Sequence, residues 1–199
     1  MSSSVRVESP LQHADLASLA ALAGDGGLVL REAKLLGHLN LRGDVNNPDF
    51  LSGVKHVLGL DLPVSPCSSA QNADTIIMWL SPDEWLIIIE GGTEGAVEDK
   101  LRLALNGHFA VSDISGAQTI IELSGQDCGK VLQKSMHYDL HLDNFPIGKV
   151  IGTSFAKTSV HIRRTGEQHF QLIVRRSFAD YIWLWIQHSS KEYGLSVTL

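Results

Sequence analysis

The sequence predicts an α+β fold, mainly antiparallel sheet with packed helices. Three observations carry this. Strand-like runs recur in pairs, each pair is followed by an amphipathic stretch, and no glycine-rich strand-to-helix crossover of parallel βαβ type can be placed. The recurrence amounts to three strand-strand-helix units of unequal length, repeated in architecture and only weakly in sequence.

The elements follow in order. Ser2–Ser4 reads as a frayed tail, and the Ala/Leu-rich residues 14–23 as a short helix ended by Gly24-Asp25-Gly26-Gly27. Leu28-Val29-Leu30 and the alternating His38-Leu39-Asn40-Leu41-Arg42-Gly43 read as strands. Asn47-Pro48 starts a helix, because Asn caps and proline loses nothing in the first turn. Phe50, Leu51, Val54, Val57 and Leu58 share its apolar face, and Gly59 ends it. Residues 61–74 read as a loop.

The runs 75–80 and 85–89 form a hairpin around Ser81-Pro82-Asp83-Glu84. Both are almost wholly apolar, which predicts central strands covered on both faces. A helix over 94–106 follows. Strands at 110–114 and 118–123 flank Ser115-Gly116, and Ser124-Gly125-Gln126-Asp127 resembles a capping box for a helix running to Ser135. Strands at 150–155, 159–163 and 170–175 precede a last helix over 178–192, capped by Ser177. The expected division is an N-terminal extension, 1–27, and one domain, 28–199, with sublobes 28–107 and 108–199.

Composition narrows the function. The 199 residues are 44% hydrophobic and only 19% charged, against about 25% in ordinary domains. That surplus of apolar surface points to a partner-facing patch. A net charge of −6 supplies no excess of cations for nucleic acid. No apolar run approaches the roughly 20 residues of a membrane span. Two cysteines, Cys67 and Cys128, suit a reducing compartment as small buried groups, and the chain is expected in the cytoplasm.

No catalytic, cofactor-binding or metal-binding set emerges. His137 and His141 lie four apart without a third ligand. Ser115 lacks a nucleophile-elbow context. Lys130 is the one basic residue near a cysteine. Two segments stand out instead. One is Leu80-Ser81-Pro82-Asp83-Glu84-Trp85-Leu86. The other runs from Leu172 through Arg175, Arg176, Ser177, Phe178, Asp180, Tyr181, Ile182, Trp183 and Trp185. On a helix, Phe178, Tyr181, Ile182 and Trp185 line one face and Trp183 points elsewhere. One tryptophan is therefore expected to meet a second layer or another protein, since aromatics and arginine favour interface cores.

Asn40-Leu41-Arg42-Gly43, Ser81-Pro82-Asp83-Glu84-Trp85, Asp139-Leu140-His141 and Val174-Arg175-Arg176-Ser177-Phe178-Ala179-Asp180-Tyr181 resemble, in order and spacing, the gamma-subunit family of heterotetrameric sarcosine oxidases. The resemblance covers about residues 27–194. It implies the aminomethyltransferase-like, folate-binding-domain fold group. It implies partners, namely alpha, beta and delta subunits, that carry FAD, FMN, NAD, tetrahydrofolate and zinc, while this chain carries none. It implies the joint reaction: sarcosine, tetrahydrofolate and oxygen give glycine, 5,10-methylenetetrahydrofolate and hydrogen peroxide. Arg42, Asp83, Glu84, Trp85, Arg175, Arg176, Tyr181, Trp183 and Trp185 are then the candidate interface or family-motif residues. Relatives often have Lys-Gly-Cys where this chain has Lys134-Ser135-Met136. The competing expectation is a stand-alone folate-binding or one-carbon transfer module.

Overall fold

A computed structural model describes residues 7–21, 24 and 26–199. The tail at Ser2–Ser4, and Leu22, Ala23 and Asp25, lie outside the described residues.

Among the described residues, eleven strands build two sheets. The first is six-stranded, in the order β11(Leu195–Thr198), β1(Leu28–Ala33), β7(Gln118–Ser124), β10(His169–Arg175), β9(Thr158–Gly166), β8(Val150–Phe155). The second is five-stranded, in the order β3(Ser69–Gln71), β4(Ile76–Ser81), β5(Glu84–Ile89), β2(Gly37–Arg42), β6(Ala110–Asp113). All pairings are antiparallel except β1 with β11.

Three apolar clusters make four layers. Met78, Leu86 and Ile88 of the second sheet meet Ile120, Val150 and Ile173 of the first, back to back. The outer face of the second sheet packs on α2(Pro48–Leu58) and α3(Glu94–Ala104) through Phe50, Val54 and Leu101. The outer face of the first packs on α4(Cys128–Gln133) and α5(Ala179–Ser189) through Val131, Leu132, Ile182, Trp183 and Ile186. The apolar hairpin β4–β5 is therefore covered on both faces, as its composition requires.

Three of the strand-strand-helix rounds are those read from the sequence, and β1-β2-α2 is a fourth. They pair into two halves of the same plan: β1-β2-α2-β3-β4-β5-α3 and β6-β7-α4-β8-β9-β10-α5. The first strand of each half stands in the sheet of the other, β1 beside β7 and β6 beside β2. The turn Ser115–Ala117 thus switches the chain from one sheet to the other. A cut into 28–107 and 108–199 does not separate the sheets. Nor is the segment before β1 an appendage, since Leu11 and Leu16 are buried in the larger core, with α1 at Leu16–Ala21.

Local details follow their chemistry. Asn47 accepts from the N–H groups of Asp49 and Phe50, and Gly59 closes α2 in the left-handed region. Gly125 has φ 112°, and a Cβ there would lie 2.5 Å from the Gly27 carbonyl oxygen. The Ser124–Asp127 segment is accordingly a close approach to β1, and Asp127 makes no side-chain cap; it pairs with Lys130 instead. Ser177 likewise makes no cap, because a short 3-10 turn, Arg176–Phe178, leads into α5. The loop over 61–74 contains the short edge strand β3, and β11 follows Gly194. Neither strand has an apolar alternation long enough to read from sequence.

Candidate functional site: a cleft between the sheets

The motif at the β4–β5 turn divides by burial. Asp83, exposed in the turn, accepts from Arg42 at 2.8 Å and from the Ser81 hydroxyl at 2.8 Å. Ser81 first, and Arg42 after it, hold its carboxyl below the usual range. Glu84 accepts from the Asn40 side-chain amide at 2.8 Å. Trp85 is the correction to an interface reading: it is fully buried, tilted against Phe50 at 6.0 Å, and donates its indole N–H to the Pro63 carbonyl at 2.8 Å. Alternation explains this, because Trp85 is on the helix-facing side of β5 with Ile87 and Ile89.

The second motif also divides. Arg176 donates to the Glu8 carbonyl at 3.1 Å and thus fastens the N-terminal segment. The Tyr181 hydroxyl accepts from the Lys157 backbone at 3.2 Å. Both tryptophans of α5 serve one core, against expectation. Trp183 is buried in it, on a face set by Ala179, Ile182 and Ile186. Trp185 packs at its margin and donates its indole N–H to the Ser135 hydroxyl at 2.9 Å. A side chain as long as tryptophan reaches a core from the flank of a helix. The large apolar residues left outward are Phe178 and Leu184.

Ser135 therefore anchors α5, and Met136 beside it is buried. The Ser135-Met136 pair is structural in this chain. Cys128 is buried and its thiol is pushed up to about 12 by desolvation, which disfavours the thiolate. Lys130 is paired with Asp127 rather than acting on that thiol. Ser115 is held in its turn by Asp113 and accepts from the His38 backbone at 2.9 Å. Exposed His141 contacts Asp143 at 3.3 Å. Among the described residues no three His, Cys, Asp or Glu side chains converge as a metal site.

What the tertiary structure assembles is a cleft of about 430 Å³ at one end of the inter-sheet space. Asn40 and Glu84 face it from the second sheet, and Gln118, His161 and Arg175 from the first. Leu86 and Ile173 floor it. One residue from each motif, Glu84 and Arg175, thus lines a common space; Arg42 and Asp83 line a separate groove with His108 and Phe109. His161 was not a sequence candidate. Its signal is register: it stands opposite Ile173 and Gly152, on the face that looks toward the other sheet. Burial lowers its pKa, with Glu84 opposing and Arg175 reinforcing.

The one buried carboxylate among the described residues, Glu32, accepts from Ser9 at 2.8 Å and from Thr119 at 2.9 Å, one bond on each oxygen.

Residues 42–192 match the family described as "Sarcosine oxidase, gamma subunit family". Sarcosine oxidase subunit gamma of Corynebacterium sp. strain U-96 is 32% identical over 189 residues, 94% of this chain and 91% of that one. The same-named protein of Corynebacterium sp. strain P-1 is 33% identical over 196 residues, 97% of this chain and 94% of that one. Among solved structures, a chain of the heterotetrameric sarcosine oxidase from Corynebacterium sp. U-96, in complex with pyrrole 2-carboxylate, superposes with a TM-score of 0.85 at 30% identity; 94% of this chain and 96% of that one are covered. The glycine cleavage system aminomethyltransferase T of Bartonella henselae shares the fold, with a TM-score of 0.63 at 12% identity, over 92% of this chain and 50% of that one. With this family match, and with identity and coverage of this order to its named members, the chain belongs to the sarcosine oxidase gamma subunit family.

Proposed function

We propose that the chain is the gamma subunit of a heterotetrameric, cytoplasmic sarcosine oxidase, with an assembly role and no chemistry of its own. The observation that supports this reading is the match, over 94% of this chain, to a chain of a solved heterotetramer. The partners are alpha, beta and delta subunits, which hold FAD, FMN, NAD, tetrahydrofolate and zinc. The assembled enzyme oxidises sarcosine to glycine with oxygen and passes the one-carbon unit to tetrahydrofolate.

The physics of the role is burial. Phe178 and Leu184, 41% and 55% exposed, stand outward at the last helix, near Arg175 at the end of β10. Docking that surface on the alpha subunit removes apolar area from water at about 25 cal/mol per Å².

Co-expression with the other subunits tests this. The tetramer is expected to co-purify, and Leu184→Glu is expected to reduce gamma incorporation while the isolated chain unfolds at an unchanged denaturant midpoint. Full oxidase activity and stability of an alpha-beta-delta assembly without gamma would overturn the assembly role. Saturable micromolar tetrahydrofolate binding by the chain alone, read by tryptophan fluorescence, would favour the stand-alone folate module instead.

A further inference from the structure

We propose that the cleft between the sheets is a binding site for a small zwitterionic amino acid, its carboxylate received by Arg175 and its ammonium group by Glu84. This goes beyond the assembly role and does not rest on it.

The argument starts from unused polar capacity. Arg175 makes no side-chain hydrogen bond or ion pair among the described residues, although it borders the cleft. Glu84 uses one carboxylate oxygen on Asn40 and leaves the other uncommitted. The His161 ring makes no side-chain hydrogen bond either, yet it is half-buried beside both charges. The residue paired with it on β8 carries no side chain, which leaves space beside the ring. Residue 152 is glycine, and a Cβ there would lie 3.4 Å from it.

Sign and size then select the ligand. One cation and one anion on facing sheets complement a molecule carrying both charges. A phosphate or other polyanion meets the Glu84 carboxylate, and a metal ion meets the Arg175 guanidinium, so both are disfavoured. The arginine fork suits a carboxylate. A volume of about 430 Å³ is near the lower end for small-molecule sites. The apolar floor, Ile173 and Leu86, accommodates a short aliphatic portion.

The test uses the full-length chain and follows histidine ring signals by NMR, with the His161 signal assigned by its loss in His161→Gln. Glycine, acetate, methylamine and tetrahydrofolate are the probes. Glycine is expected to shift the His161 signal saturably, with acetate and methylamine each at least about tenfold weaker, since each lacks one charge. Arg175→Gln and Glu84→Gln are each expected to weaken glycine about tenfold or more. Circular dichroism checks folding. Should either variant misfold, Gly152→Val, which fills the cleft beside His161, is expected to abolish the shift. No saturable shift with glycine overturns the proposal. So does acetate binding as well as glycine, glycine binding indifferent to Arg175→Gln, or binding by tetrahydrofolate alone.

Discussion

Arg163 of β9 donates its Nε–H to the hydroxyl of Ser69 on β3 at 2.9 Å, so a buried guanidinium bridges the two sheets. Its other donors go to the Gln71 side-chain oxygen at 2.6 Å and the Gln171 side-chain oxygen at 3.1 Å. No carboxylate is among these partners. Burial accordingly lowers its pKa without making it titrate at any ordinary pH.

A buried cation stripped of its partners is worse than none. Removing Ser69 and Gln71 together leaves two donors dry, and is expected to destabilise the chain by about 3–5 kcal/mol. Arg163→Met, which deletes the charge and keeps the volume, is expected to cost less. Urea unfolding of the three proteins checks the order. Equal midpoints for the double variant and the wild type would remove the bridge from the stability account.

The Trp185–Ser135 bond fastens α5 beside α4. Ser135→Ala and Trp185→Phe are each expected to cost about 1 kcal/mol through the bond, Trp185→Phe more through lost packing. A double-mutant cycle is expected to return a coupling of about 1 kcal/mol. Zero coupling would mean the bond contributes nothing in solution.

The two thiols should differ sharply. Native protein is expected to react with a disulfide reagent at half-buried Cys67 and not at Cys128. A raised native pKa also has a stability sign. Between the unfolded thiol value, near 9, and about 12, the unfolded chain releases a proton that the native chain keeps. Stability therefore falls with rising pH through that window, by up to about 1.4 kcal/mol per unit from this group. Cys128→Ala is expected to flatten the slope in pH-dependent unfolding.

His38 gives the opposite limb. It is 1% exposed, and burial pushes its pKa down, with Gln118, Asp113 and Glu94 partly opposing. Below the ordinary histidine value the unfolded chain takes up a proton that the native chain resists. Stability from this site is full above about 6.5 and is lost as pH falls toward the native pKa. His161 acts in the same sense. His38→Asn is expected to shallow the acid limb of a stability–pH profile; an unchanged limb would assign it to other groups.

The exchange of β1 and β6 makes the halves mutually dependent. Fragments 1–107 and 108–199 are each expected to stay unfolded or aggregate alone, since each sheet loses a strand and exposes an edge. Mixed, they are expected to recover the circular dichroism of the whole chain. Cooperative unfolding of either fragment by itself would show that the halves are independent.

Much of this was legible in the residue order. Asn47, Pro48 and Gly59 bound α2 by local rules, and the apolar runs of the β4–β5 hairpin announce a strand pair covered twice. The motifs around Glu84 and Arg175 also marked two of the cleft's charges. His161, the titratable group between them, was hidden, because alternation shows that a residue faces inward without showing what stands opposite.

From the sequence alone came the fold class, the family and most strand and helix positions, all of which depend on neighbours along the chain. The tertiary structure alone decided which strand joins which sheet, that Trp85, Trp183 and Trp185 serve the interior, and that Glu84 meets Arg175 across a cleft. Those outcomes depend on contacts between residues far apart in the chain, where a Pro63 carbonyl or a Ser135 hydroxyl, invisible to periodicity, determines where an indole comes to rest.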